Sequence, residues 1–353
     1  MVFRNIIERN IFINDLTRKI ICNGYNKELQ TFIDEISKID SIKNYEEFKR
    51  FLENIPEQLF GSTYSIKRAY AENTLYGYAD SVMNYGGLEK ESLLFLPLLE
   101  HGIDLSETFY APRYVKNRDY IFQGANKIKH WEMAMGRKAY SIGPFIHYAK
   151  DYYSKEEVEK FHKKNGKTLL IFPPHTDEYG GQDFFIDSFL NEMFRIAKDY
   201  DTIIASVFWI DVNDKYIDYL KSNGVCLVSS GFKLDNQFAS RMKSIIKMSD
   251  AVLFPILTTS IGYAYYLNKK VICINCDRNK ESVNIEDQEF ITEENNRYVE
   301  KFCRVFTENA PSQSVEADAL VDFYWGISNI RSKEQIRKIY YKSKRDIIGQ
   351  LGF

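Results

Sequence analysis

At 353 residues the chain exceeds one ordinary domain and fits two of moderate size, and its 44% hydrophobic content with 15% aromatic residues argues against extended disorder. A net charge of −2 argues against bulk nucleic-acid binding, which needs an excess of Lys and Arg to neutralise phosphates. The five cysteines (Cys22, Cys226, Cys273, Cys276, Cys303) are odd in number and widely scattered, which suits a reducing cytoplasm. In chain order, the amino-terminal segment carries a charge every few residues, so it reads as neither a signal peptide nor a membrane span. The first ninety residues read as packing helices, with Leu29, Phe32, Ile33 and Ile36 on one apolar stripe and Phe48, Phe51 and Leu52 on another. Residues 91–100 (ESLLFLPLLE) form the first strand-like run, in which Pro97 marks a bend or an edge position. Residues 119–122 (DYIF) and 138–142 (KAYSI) read as strands flanking a helix over 126–135. Together these make a small β/α unit whose carboxyl-side loops carry His101, Gln123 and Gly143.

Residues 148–166 read as a charged helical connector, after which the alternation becomes regular. Strand runs at 168–172, 202–210, 225–229, 251–254 and 271–275 are separated by helices at 182–200, 215–222, 237–248 and 261–267. Strands and helices at this spacing predict a doubly wound parallel sheet. The tail from Glu316 is helical, and Ile336, Ile339, Tyr340, Ser343 and Ile347 form a packing stripe. The expected fold class is α/β, with two Rossmann-like β/α domains facing a cleft. Residues 1–160 hold a helical region and the small β/α domain, 161–315 the larger one, and 316–353 carboxy-terminal helices packing back on the first.

The chemistry is expected around residues 167–181 (KTLLIFPPHTDEYGG), where a buried strand ends at two prolines and His175 and Thr176 follow. Ligands collect at the carboxyl ends of strands in such units. The residues alone leave open whether His175 serves a ligand or packs against the prolines. All five histidines (His101, His130, His147, His162, His175) fall between 101 and 175, and His101 and His175 occupy strand-to-loop positions, one in each half. Such a pair across a cleft suits general acid–base chemistry. A second cluster, Thr258, Thr259 and Ser260, lies between a strand and a short helix carrying Gly262. Hydroxyls at a helix amino terminus suit phosphate binding; taken alone Ser260 reads rather as an N-cap, and its pairing with His175 on the same sheet favours phosphate.

The order of these elements resembles GT-B-type transferases, especially bacterial sialyltransferases, the transferases of capsule and lipopolysaccharide assembly and the teichoic acid glycerophosphotransferases. Glu100-His101-Gly102, Pro174-His175 and Thr258-Thr259-Ser260 fall in the family's order, and residues 250–274 resemble its penultimate β/α unit, so the likeness spans roughly residues 93–275. In this chain the second histidine is preceded by proline where the family has proline after it. The resemblance implies a metal-independent, cytoplasmic glycosyltransferase of surface-polysaccharide assembly, with a nucleotide-sugar as co-substrate, no cofactor, and a saccharide or lipid-linked acceptor. It gives the base role to His101, with Glu100 next, and the leaving phosphate to His175, Thr176, Thr258, Thr259 and Ser260. Ser230 and Gly231, in the loop after a strand, would contact base or ribose, or simply form a turn. A polyol-phosphate transferase, a sugar epimerase and a non-catalytic nucleotide-sugar-binding scaffold are the other readings.

Two further motifs read structurally. Asp211-Val212-Asn213-Asp214 resembles an acidic metal motif but stands alone at a strand end, as a turn and helix cap does. Cys273 and Cys276 have zinc spacing without a second pair, where a structural zinc needs four ligands. Lys333, Arg337, Lys338, Lys342, Lys344 and Arg345 crowd the last helix, a basic face that suits either solvent or an anionic membrane surface.

Overall fold

The structure, a computed structural model, describes residues 10–21, 23–55, 71–103, 105, 118–174, 186–274 and 297–349. Two parallel sheets organise it. The smaller has three strands in the order β1 (Leu98–Leu99), β2 (Tyr120–Phe122) and β3 (Ala139–Ser141). The larger contains β4 (Thr168–Ile171), β5 (Thr202–Ser206), β6 (Cys226–Val228), β7 (Ala251–Phe254) and β8 (Lys270–Cys273) in the order β6-β5-β4-β7-β8. All its strands run parallel, and the direction in which successive strands are added reverses between β4 and β7, the switch point at which doubly wound sheets open a ligand crevice.

The strand sequences explain why this sheet is sandwiched. Every residue of β4 and of β7 is buried, as expected of strands covered on both faces. Alternate residues go to opposite cores: Leu170, Ile204 and Val252 join the core shared with the smaller sheet, where Leu99, Ile121 and Ile142 lie. Leu169, Ile171, Ala205 and Leu253 join the core on the other face.

The amino-terminal helices α1 (Ile11–Ile21), α2 (Asn23–Ile36) and α3 (Tyr45–Glu53) precede α4 (Tyr78–Gly86). Phe32, Ile36, Phe48 and Leu52 pack on the larger sheet's second core beside Phe189 and Met193, so the two apolar stripes of α2 and α3 serve the larger sheet. Each such side chain contributes about 1.5–3 kcal/mol when fully buried.

Helices α5 (Ile128–Met135), α6 (Lys155–Asn165), α7 (Ile186–Ala197), α8 (Lys215–Ser222), α9 (Phe238–Lys247) and α10 (Ser260–Tyr266) connect the strands. A helix over 297–305, then α11 (Val315–Trp325) and the last helix (Lys333–Gly349), completes the described chain. The last helix packs on α4 and on the 3-10 turn Leu93–Phe95, burying Ile336, Tyr340, Ser343 and Ile347.

Three elements differ from expectation, the first being the strand run 202–210, which ends at Ser206. The run 91–100 becomes the 3-10 turn Leu93–Phe95 and the two-residue edge strand β1, because Pro97 cannot donate to a ladder. The connector over 148–166 is helical only from Lys155, since Ser154 and Glu157 form a capping box that starts the helix there.

Candidate active site

A cavity of about 190 Å³ lies over the carboxyl ends of the larger sheet at the switch point. Phe172 and Pro173 follow β4, Ser206 to Phe208 end and follow β5, and Ser230 and Thr258 to Ser260 follow β6 and β7. The opposite wall is His101 and Gly102, which follow β1, together with Tyr76 and Tyr78. The structure thus gathers His101, Ser230, Thr258, Thr259 and Ser260 around one space. His175 and Thr176 lie outside the described residues, directly after Pro174. The Tyr216 hydroxyl donates to the carbonyl of Pro174, the last described residue before them.

His101 is exposed to the cavity. Its imidazole stacks on the Tyr76 ring, with centroids 5.5 Å apart and planes 26° apart. Tyr76 sits at φ 59°, a left-handed conformation unusual for an aromatic residue, and Gly77 follows at φ 64°. The strain is held from both sides. The Tyr76 N–H donates to Lys233 O at 2.6 Å, the Ala239 N–H donates to Tyr76 O at 3.2 Å, and a Cβ on Gly77 would lie 2.3 Å from Asn236 O. Backbone strain that its surroundings over-determine clusters at functional sites. Sequence reasoning placed this segment among packing helices; the Gly77 turn signal was the one clue to it.

The hydroxyl cluster is divided in its bonding. Thr259 Oγ1 accepts from Ile103 N at 3.0 Å, which ties the His101 loop of the smaller sheet to the larger one. Ser260 Oγ lies 3.7 Å from Met242 Sδ. Ser230 Oγ and Thr258 Oγ1 are buried without a hydrogen-bond partner among the described residues. Helix α10 has only seven residues, and Thr259 precedes it in αR conformation with no side-chain cap bond. Ser260 is therefore the first helical residue and not its N-cap.

Other expected site residues turn inward. Glu100 is buried, and its Oε2 accepts from Gln123 N at 3.1 Å, which joins β1 to the end of β2; it does not line the cavity. Gln123 is wholly buried, with Oε1 accepting from Phe145 N. Gly143, at φ 86°, packs on Ile330. Gly231, at φ 105°, lies under the guanidinium of Arg241, where a Cβ would sit 2.7 Å from Nη1. Of the remaining histidines, His130 is exposed, His162 contacts Lys247 O, and His147 hydrogen-bonds Tyr266.

Among the described residues no cluster of His, Cys, Asp or Glu has the form of a metal site. Asp211 is buried and Asp214 stands at the amino end of α8 without a side-chain cap bond. Cys273 is buried, which pushes its thiol well above the ordinary range; Cys276 lies outside the described residues. No described helix is long and apolar enough to cross a membrane.

The fold and the cavity define a doubly wound α/β protein with a crevice at its switch point, faced by a second parallel sheet. No family model matches the sequence. No curated protein matches it. Among solved structures it is similar to the wall teichoic acid polymerase TagF, at 12% identity over 71% of this chain and 65% of that one, with a TM-score of 0.37. A TagF variant soaked with CDPG is similar at 13% identity over 71% and 67%, TM-score 0.35. A glycosyltransferase from Rickettsia africae ESF-5 is similar at 13% identity over 70% of each chain, TM-score 0.31. The chain spans 65% of the length of the TagF structure.

Proposed function

We propose that the chain is a metal-independent glycosyltransferase that moves a sugar from a nucleotide-activated donor to an acceptor hydroxyl in surface-polysaccharide assembly. The observation that supports this most is the cavity at the switch point, where His101 from one sheet faces hydroxyl-bearing loops of the other. In the proposed reaction the His101 imidazole takes the acceptor hydroxyl proton as the oxygen attacks the sugar's anomeric carbon. The bond from that carbon to the phosphate oxygen breaks, and the nucleotide leaves with the electron pair. His175 and Thr176, which follow Pro174, are assigned to the leaving phosphate from sequence alone.

Tyr76 supports the role of His101, because a stacked ring on a clamped backbone restricts where the imidazole can point. The cytoplasmic face of a membrane is the proposed place of action. On the basic last helix Lys344 pairs with Glu91, while Lys333, Arg337, Lys338 and Arg345 are exposed and would be its contribution to such a contact.

The test is incubation of the purified chain with radiolabelled UDP-, GDP- and CMP-sugars, with and without EDTA. Transfer or slow hydrolysis of one donor, unchanged by EDTA, supports the proposal. A folded protein that turns over none of them, or one that EDTA silences and manganese restores, contradicts it.

A further inference from the structure

We infer that the switch-point cavity is a saccharide subsite: it holds the neutral, hydroxylated ring of a ligand, read by Ser230 and Thr258, and the phosphates lie outside it. The inference rests on the transferase reading for its context but on separate observations for its content. The first is the character of the walls. Tyr76, Phe172, Phe208 and Phe238 present aromatic rings, and no described lining residue is Lys, Arg, Asp or Glu. The second is the state of the hydroxyls. Ser230, 4% exposed, and Thr258 each bury a hydroxyl oxygen with no partner among the described residues, and both residues line the cavity from strand ends on either side of the switch point.

A phosphate fits these walls poorly. It brings charge into a largely apolar space whose one described basic side chain is His101, already assigned as the base, and burial without a counter-charge is costly. The helix behind the cluster has only seven residues, and the hydroxyls of Ser230 and Thr258 bring no charge of their own. A serine or threonine hydroxyl both donates and accepts, and phosphate oxygens at neutral pH mostly accept, leaving part of that capacity idle. Sugar hydroxyls also donate and accept, and the C–H faces of a pyranose are apolar enough to lie on aromatic rings. An apolar lining with a few convergent polar groups is the usual form of a site that fixes one orientation of a small ligand.

The test compares each nucleotide-sugar with its parent nucleotide by titration calorimetry, and follows free monosaccharides by saturation-transfer NMR. The proteins are the full chain, Ser230→Ala and Thr258→Val. Neither substitution removes a protein hydrogen bond, so thermal unfolding should match the parent chain. Each variant should bind the nucleotide-sugar about 3- to 10-fold more weakly, the loss of one hydrogen bond, with affinity for the free nucleotide unchanged. An equal loss for the free nucleotide would put base or phosphate in the cavity and overturn the inference while leaving the transferase reading intact. Unchanged binding of nucleotide-sugars by both variants also overturns it. If no nucleotide or nucleotide-sugar binds, but free monosaccharides bind and both variants weaken them, the transferase reading fails and the subsite stands. Binding of neither class overturns both.

Discussion

The Ile103 N–H donates to Thr259 Oγ1 at 3.0 Å, and these two residues belong to different sheets. Ile103 follows β1 and Thr259 follows β7, so the bond closes one corner of the cavity and fixes the loop that carries His101. A second bond, from Trp325 Nε1 to Thr259 O at 2.9 Å, anchors the same residue to α11. Thr259 is thereby held from two directions, which makes it a positioning residue for the proposed base.

Thr259→Val keeps the shape and removes the acceptor. It should lower stability by about 0.5–1.5 kcal/mol in urea unfolding, the usual net worth of a hydrogen bond. Turnover should fall further than stability implies, with donor affinity unchanged, because the His101 loop loses its tie. Equal turnover in the variant would show that the loop is held by other contacts.

The amino-terminal helices are fastened by one buried cation. Arg241 Nη1 pairs with Asp235, both side chains being almost fully buried, and Nη2 donates to Ser37 O at 2.9 Å and Ile39 O at 3.2 Å. Arg241→Met should destabilise the protein by about 3–5 kcal/mol, since Asp235 is left buried without its counter-charge. Adding Asp235→Leu should recover part of that loss. Urea unfolding of the single and double variants measures both.

Periodicity made most of the larger sheet legible. The expected strand over 251–254 is β7, the helix over 215–222 is α8, and Phe189, Met193 and Ile196 form the buried stripe of α7. Which sheet a helix serves was less legible, because Leu29, Phe32, Ile33 and Ile36 predict an apolar face but not its partner. The partner is set by contacts distant in the chain, such as Phe32 and Ile36 with Phe189 and Met193, and Arg241 Nη2 on the carbonyls of Ser37 and Ile39. At the site, His101, Ser230 and the Thr258–Ser260 run share one cavity because strand ends in a parallel sheet converge. Glu100, Gln123 and Gly231 have the same strand-end signature but turn into the packing, which periodicity does not register. Gly262 was legible only as a residue of the short helix after the hydroxyl cluster. Its role is close packing, since a Cβ there would lie 2.2 Å from the Trp325 ring.

His147 predicts a pH dependence of stability. Burial, and then the nearby charge of Lys243, lowers its pKa from 6.5, while its Nδ1 lies 2.6 Å from the Tyr266 hydroxyl and the Tyr85 and Tyr148 rings flank it. The folded state thus favours neutral imidazole. Its contribution is fully present above the unfolded value of about 6.5 and is lost as pH falls through the lower folded value. Unfolding midpoints measured between pH 5 and 8 should decline on the acid side of that range, and His147→Phe should flatten the decline. The same acid slope in the variant would assign it to other groups.

The last prediction separates the proposed base from the residue that positions it. His101→Ala should lower turnover by about two to four orders of magnitude, the range for a lost general base, with little change in donor binding. Tyr76→Phe keeps the ring and should stay near full turnover, because the stacking needs no phenol. Tyr76→Gly accepts the left-handed backbone at φ 59° without strain but removes the ring. It should lower turnover by roughly tenfold, in keeping with the ~0.5–1.5 kcal/mol that an aromatic pair contributes, and leave donor affinity unchanged. If His101→Ala keeps normal turnover, the buried Glu100 does not become the base by default, since it lies off the cavity and is committed to Gln123. Should Tyr76→Gly match the parent while His101→Ala is inactive, the imidazole is oriented by its own loop, and the Thr259 tie becomes the element that positions it.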